Sequence, residues 1–145
     1  VNLRPPFDRR EVLEPLLRQA RLVKMNEHEL AAIASWHSIS GEDEARAQAL
    51  LAEYSWETLC ITRGGEGAWL FHEGQFHRQA AFPITVKDTI GSGDSFLAAL
   101  LQQLLSGQAA EKALRFACAV GAYVATQQGA TPALNPKHIE ELFAI

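Results

Sequence analysis

The residues most able to carry chemistry lie in one run, Asp88-Thr89-Ile90-Gly91-Ser92-Gly93-Asp94-Ser95-Phe96. Closely spaced glycines ahead of an apolar helical pattern let the chain turn tightly and aim successive backbone N–H groups outward. With the positive end of the helix dipole, those groups make an anion site. A carboxylate at that place, Asp94, is electrostatically unwelcome unless it caps the helix or does chemistry, and the residues alone leave both readings open. In the chemical reading the turn serves phosphoryl transfer. Positioned amides stabilise the migrating group and Asp94 takes the proton of the attacking hydroxyl. A loose transition state gives up that proton late, so the orientation of the carboxylate matters more than its basicity.

The elements that must position this run are a β-prone stretch, Phe82 to Val86, before it and a helical pattern from Phe96 to about Leu105 after it. Together they predict a strand-turn-helix junction. Other glycine motifs fail on inspection. A P-loop needs Gly-Lys-Ser/Thr, which neither this turn nor Gly64-Gly65-Glu66-Gly67 supplies, and a dinucleotide fingerprint needs a small residue where Phe96 stands. A hydrolase elbow needs a serine flanked by glycines in the Gly-x-Ser-x-Gly pattern, which Ser92 and Ser95 lack.

The run from Asp88 to Asp94 resembles the Asp-Thr-x-Gly-Ala-Gly-Asp signature of the PfkB, or ribokinase-like, family of sugar and nucleoside kinases. Inside it the one departure is Ser92 for the usual alanine, a small-for-small change that leaves the backbone donors in place. Further segments resemble the family's motifs in order: Asn2-x-Arg4, Asn26-x-x-Glu29 and Thr62-x-Gly64-x-x-Gly67. The resemblance covers nearly the whole chain. It implies an α/β fold, the ribokinase-like three-layer α/β/α arrangement with a mostly parallel sheet and a local antiparallel strand pair around Gly65 and Gly74. It also implies that residues 1–145 are the C-terminal, nucleotide-binding portion of a longer kinase, with the N-terminal half that carries the substrate site and lid lying outside the chain.

The composition fits that expectation. The chain is 48% apolar and 21% charged, in the range of a globular domain with a real core, and its net charge of −4 argues against a general nucleic-acid binder. No 18-residue apolar run suggests a membrane span. Cys60 and Cys118 sit alone in apolar settings, as buried thiols of a reducing compartment do, which points to the cytoplasm. The five histidines show no zinc-ligand spacing.

Taken in order, Val1 to Phe7 reads as the end of a strand entering a proline-fixed turn. A helix follows with Val12, Leu13, Leu16, Leu17 and Ala20 on one face and Pro15 inside it, which requires a late start or a kink. Leu22 to Met25 is a short strand, and Asn26 to Glu29 opens a second helix; acidic residues there are ordinary dipole partners. A helix from about Glu42 to Tyr54 leads to a buried-type strand, Thr58 to Thr62, and a glycine turn to Ala68-Trp69-Leu70-Phe71, with Gln75 to Arg78 returning as a further strand. A simple hairpin accounts for those glycines as well as a ligand does. Helices from Ala109 to about Gln127 and from Asn135-Pro136 onward complete the chain, the last with Ile139, Leu142 and Phe143 inward. The small residues Ala113, Ala117, Ala119, Gly121 and Ala122 permit close helix packing or close approach of a ligand.

What the resemblance adds is residue-specific. It implies transfer of the ATP γ-phosphate with Mg2+ present. The amides of Gly91, Ser92 and Gly93 hold the developing charge and Asp94 is the base. Lys24, Asn26, Thr62, Gly64, Gly67, Cys118 and Ala122 are the implied nucleotide contacts, with Glu29 in the magnesium environment. Asp88, the carbonyl of Ile90 and Gly129, in the Gln128-Gly129-Ala130-Thr131-Pro132 turn, are implied for a monovalent cation, K+. The implied acceptor is a small-molecule sugar, with wording around Val86 to Gly93 closest to fructokinases, and no nucleic acid or membrane partner. A homodimer is implied for the full-length protein, and inactivity for this fragment alone. The alternatives are a nucleoside or phosphosugar kinase of the same family and a non-catalytic nucleotide-binding module.

Overall fold

A computed structural model of the chain describes residues 1–129 and 131–144. Among these the element order is α1 (Arg10–Gln19), β1 (Leu22–Asn26), α2 (Glu27–Trp36), α3 (Asp43–Tyr54), β2 (Thr58–Thr62), a 3-10 turn (Gly64–Glu66), β3 (Ala68–His72), β4 (Gln75–Gln79), α4 (Ser92–Leu105), α5 (Ala110–Ala125) and α6 (Pro136–Phe143). The strands form one sheet in the order β1-β2-β3-β4. β1 and β2 pair in parallel, Leu22 opposite Thr58 through Asn26 opposite Thr62, and the crossover between them contains α2 and α3. The turn from β2 to β3 is too short for a parallel crossover. Glu73 and Gly74 join β3 to β4 with both φ angles positive, 48° and 75°, as a two-residue hairpin turn requires. The sheet is therefore mixed, and its antiparallel strands are those expected around Gly65 and Gly74.

The chain packs as two compact units, Val1–Arg63 with Leu70–Phe76, and Gly64–Trp69 with His77–Ile145. In the first, Val23, Met25, Leu30, Ile33, Leu50, Leu59 and Ile61 are buried where α2 and α3 cover β1 and β2. All of Thr58 to Ile61 is buried, which is why that strand reads as continuously apolar rather than alternating. In the second unit α4 lies along α5 and α6 joins α5. Ala113, Ala117, Ala119 and Gly121 are all buried on α5, so the small-residue stripe packs a helix.

Several local expectations are corrected. Phe82 to Val86 forms no strand; Pro83 has no N–H to give to a ladder, and Phe82 instead packs its ring 4.6 Å from that of Phe143. Val1 to Arg4 is not a strand either, because its amides turn inward, Arg4 to the carbonyl of Asn2 at 3.1 Å. α1 runs through Pro15 and buries Leu17 alone, leaving Val12 and Leu16 exposed. Five apolar residues wrap further round the helix than its neighbours reach. Leu142 on α6 is exposed as well, while Ile139 is buried.

Candidate active site

α4 begins at Ser92, four residues before the apolar pattern of Phe96, because Gly91 takes φ 80° and turns the chain directly into the helix. Gly91 is the N-cap and has no side chain to offer, so no side chain caps this end. The Ser92 amide donates to the carbonyl of Thr89 at 3.2 Å and that of Ser95 to Gly91 at 2.9 Å. A helix leaves its first amides without intrahelical acceptors, and here those of Gly93 and Asp94 remain for an incoming anion. Asp94 is exposed in the first turn and caps nothing, so the capping reading of this carboxylate is set aside.

The approach to the turn is held from outside. Lys87 and Asp88 donate their amides to the carbonyl of Ala125, near the end of α5, at 2.8 and 3.3 Å. The Asp88 carboxylate accepts the Ile90 amide at 3.0 Å, an Asx-type turn, and the Gly129 amide at 3.3 Å. Asp88, Ile90 and Gly129 are thus gathered around one carboxylate; Ala130, next in that turn, lies outside the described residues. The Ser92 hydroxyl donates to the carbonyl of Gly121 at 3.0 Å. That contact was not foreseen. Its signals in the sequence were a glycine within an alanine-rich helix and a serine at the start of the preceding one.

Cys118 and Ala122 are one helical turn apart on α5, so they share a face. Cys118 is 8% exposed, and burial pushes its thiol pKa up to about 12, so it is an inert apolar wall rather than a nucleophile. Gly64, at φ 50°, has open space around it. Gly67, at φ 101°, is different: a Cβ there would stand 2.0 Å from the carbonyl oxygen of Gln79. Its side-chain-free backbone is what lets the strand start beside Gln79 to Ala81.

In the other unit, Asn26 and Glu29 form a capping box. The Asn26 side chain accepts the Glu29 amide at 2.8 Å and Glu29 accepts the Asn26 amide at 2.9 Å. Glu29 is 7% exposed, and its other oxygen accepts the Leu3 amide at 3.4 Å. The Thr62 hydroxyl reaches the carbonyl of Met25 at 3.4 Å, and Lys24 lies half-buried on β1 with its carbonyl accepting the Val1 amino group. Lys24, Asn26, Glu29 and Thr62 therefore gather at the carboxyl ends of the parallel pair β1 and β2, the side on which open α/β sheets bind ligands.

Residues 1–138 match the pfkB family of carbohydrate kinases. The chain belongs to that family. The 2-dehydro-3-deoxygalactonokinase of Haloferax volcanii is 29% identical over 137 residues, 94% of this chain and 42% of that protein. The fructokinase of Escherichia coli is 34% identical over 130 residues, 84% of this chain and 40% of its own length. Among solved structures, a ribokinase-type protein from E. coli in complex with ATP and Mg2+ superposes with a TM-score of 0.82 at 24% identity, covering 93% of this chain and 42% of that one. This pfkB chain thus spans about two fifths of the length of the relatives it matches.

The uncapped α4 amides fit a phosphate group in this pfkB chain. No cluster of three or more His, Cys, Asp or Glu side chains that could hold a metal occurs among the described residues. No helix among the described residues is long and apolar enough to cross a membrane.

Proposed function

We propose that the protein carrying this chain transfers the γ-phosphate of ATP to a hydroxyl of a small sugar, in the manner of a fructokinase. One observation carries the reading: Gly91 at φ 80° opens α4 with no side-chain cap and places the exposed Asp94 carboxylate in the same turn as the free amides. A site that must hold an anion and deprotonate a hydroxyl needs both features together. The free amides of Gly93 and Asp94 hold charge developing on the transferred group, the Ser92 amide being bonded to the Thr89 carbonyl, and the Asp94 carboxylate receives the hydroxyl proton. Bound with the nucleotide, Mg2+ supplies neutralisation of phosphate charge.

In this reading Lys24, Asn26, Thr62, Gly64, Gly67, Cys118 and Ala122 contact the nucleotide and Glu29 serves the magnesium environment. Asp88, the Ile90 carbonyl and Gly129 take K+, and the buried, unoxidised cysteines suit a cytoplasmic protein. The amides already on Asp88 leave lone pairs on each oxygen for a cation. In this reading the residues for the sugar also come from outside these 145 residues and the fragment by itself is inactive; a homodimer is proposed for the full-length protein.

The test is a phosphoryl-transfer assay of the full-length protein with ATP and Mg2+ against fructose, other hexoses, sugar phosphates, sugar acids and nucleosides. Preference for fructose supports the proposal. Preference for a phosphosugar or nucleoside moves the protein within the family, and nucleotide binding without transfer to any hydroxyl would make it a binding module.

A further inference from the structure

The Ser92 hydroxyl joins the first residue of α4 to α5 through the Gly121 carbonyl, at 3.0 Å. Within a helix, the Gly121 carbonyl already has an intrahelical acceptor role toward the amide four residues on, so the serine bond is a second one. Its removal leaves no buried carbonyl unpaired. The two helices come close here: a Cβ at 121 would lie in ordinary van der Waals contact, 3.4 Å from the Ser92 carbonyl oxygen and 3.5 Å from its hydroxyl. One helical turn further along α5, the Ala125 carbonyl holds the amides of Lys87 and Asp88. α5 therefore grips the phosphate turn on both sides of Gly91, the one residue there at positive φ. The free amides of Gly93 and Asp94 follow directly after the second grip.

We propose that Ser92 and Gly121 are a positioning pair for phosphoryl transfer, in which the hydroxyl fixes the rotation of the first α4 turn and so the aim of Asp94 and its neighbouring amides. The proposal rests on the kinase reading above. A positioning bond acts on the reacting geometry more than on ground-state affinity.

Steady-state kinetics of the full-length protein with Ser92→Ala and Ser92→Thr test it, with thermal unfolding measured beside them. Ser92→Ala should lower kcat about tenfold, as small misplacements do, with the KM for ATP within about twofold and an unchanged unfolding midpoint. Ser92→Thr, which keeps the hydroxyl, should recover most of the lost turnover. Wild-type kcat in Ser92→Ala, or a loss of turnover that follows a loss of stability and is not rescued by threonine, would overturn the positioning role. In either case an active wild type leaves the kinase reading standing, whereas a wild type that phosphorylates no hydroxyl acceptor defeats both.

Discussion

Asp88 accepts the amide of Gly129, 41 residues away in sequence, at 3.3 Å, and with its other oxygen holds the Ile90 amide at 3.0 Å. One carboxylate thus fixes the entry to the Gly91 turn and ties it to the loop after α5. Hydrogen bonds to a charged acceptor are stronger than neutral ones, but these are exposed and partly replaced by water when lost. Asp88→Ala should therefore cost about 1–2 kcal/mol in urea unfolding. An Asp88→Ala protein with wild-type stability would show that the two contacts are incidental.

The role of Asp94 separates from binding. The side chain makes no cap, so Asp94→Asn should leave the helix and the free amides in place. We expect kcat to fall by about 10²–10⁴, the usual contribution of a positioned general base, with nucleotide affinity close to wild type. Calorimetric titration with ATP and Mg2+ beside the kinetics measures both, and parallel loss of affinity and turnover would speak against the base.

Gly67 and Gly64 occupy one turn and should respond differently to alanine. At Gly67 the new Cβ would meet main-chain atoms, the Gln79 oxygen at 2.0 Å and the Ala81 nitrogen at 2.7 Å, with no flexible side chain to yield. Gly67→Ala should cost roughly 3 kcal/mol or more, whereas Gly64→Ala, in open space, should cost about 1 kcal/mol for its positive φ. Similar unfolding free energies for the two variants would contradict this account of the turn.

A polar cluster in the other unit gives a pH dependence. Burial works against the Glu14 carboxylate, but the Tyr54 hydroxyl at 2.8 Å and the charges of Arg18, His37 and Arg10 outweigh it and hold its pKa below the ordinary 4.5. A depressed folded pKa contributes stability that is present above the unfolded value and lost as pH falls through the folded one. His37 Nε2 lies 3.6 Å from the same oxygen. Glu14→Gln should thus lower the melting temperature at pH 7, and the gap from wild type should narrow as pH falls below 4.5. A gap that stays constant over that range would remove Glu14 from the acid response.

How much of this was legible in the sequence depends on the range of the interactions. The helix Glu27–Trp36 is announced by its own residues, since the N-cap Asn26 and Glu29 close a capping box within one turn. The β3–β4 hairpin is likewise local, because Glu73-Gly74 can take the positive φ angles that a two-residue turn needs. Phe82 to Val86 misled because β propensity is local and a strand is not. A ladder needs a neighbour, and this stretch found a helix ring at Phe143 instead.

The turn from Asp88 to Asp94 shows the same division. Its glycines, its carboxylate and its order relative to the other motifs are matters of residue type and spacing, and these sufficed for the family and for the expectation of an anion site. Gly91 to Asp94 needs only backbone freedom and a helix start, both local properties. Which atoms hold that turn in place could not be read there. The partners of Lys87, Asp88 and Ser92 are carbonyls of α5 and the Gly129 amide, and every residue has such groups whatever its side chain. Only the packing of α4 along α5 decides which of them come within hydrogen-bond reach.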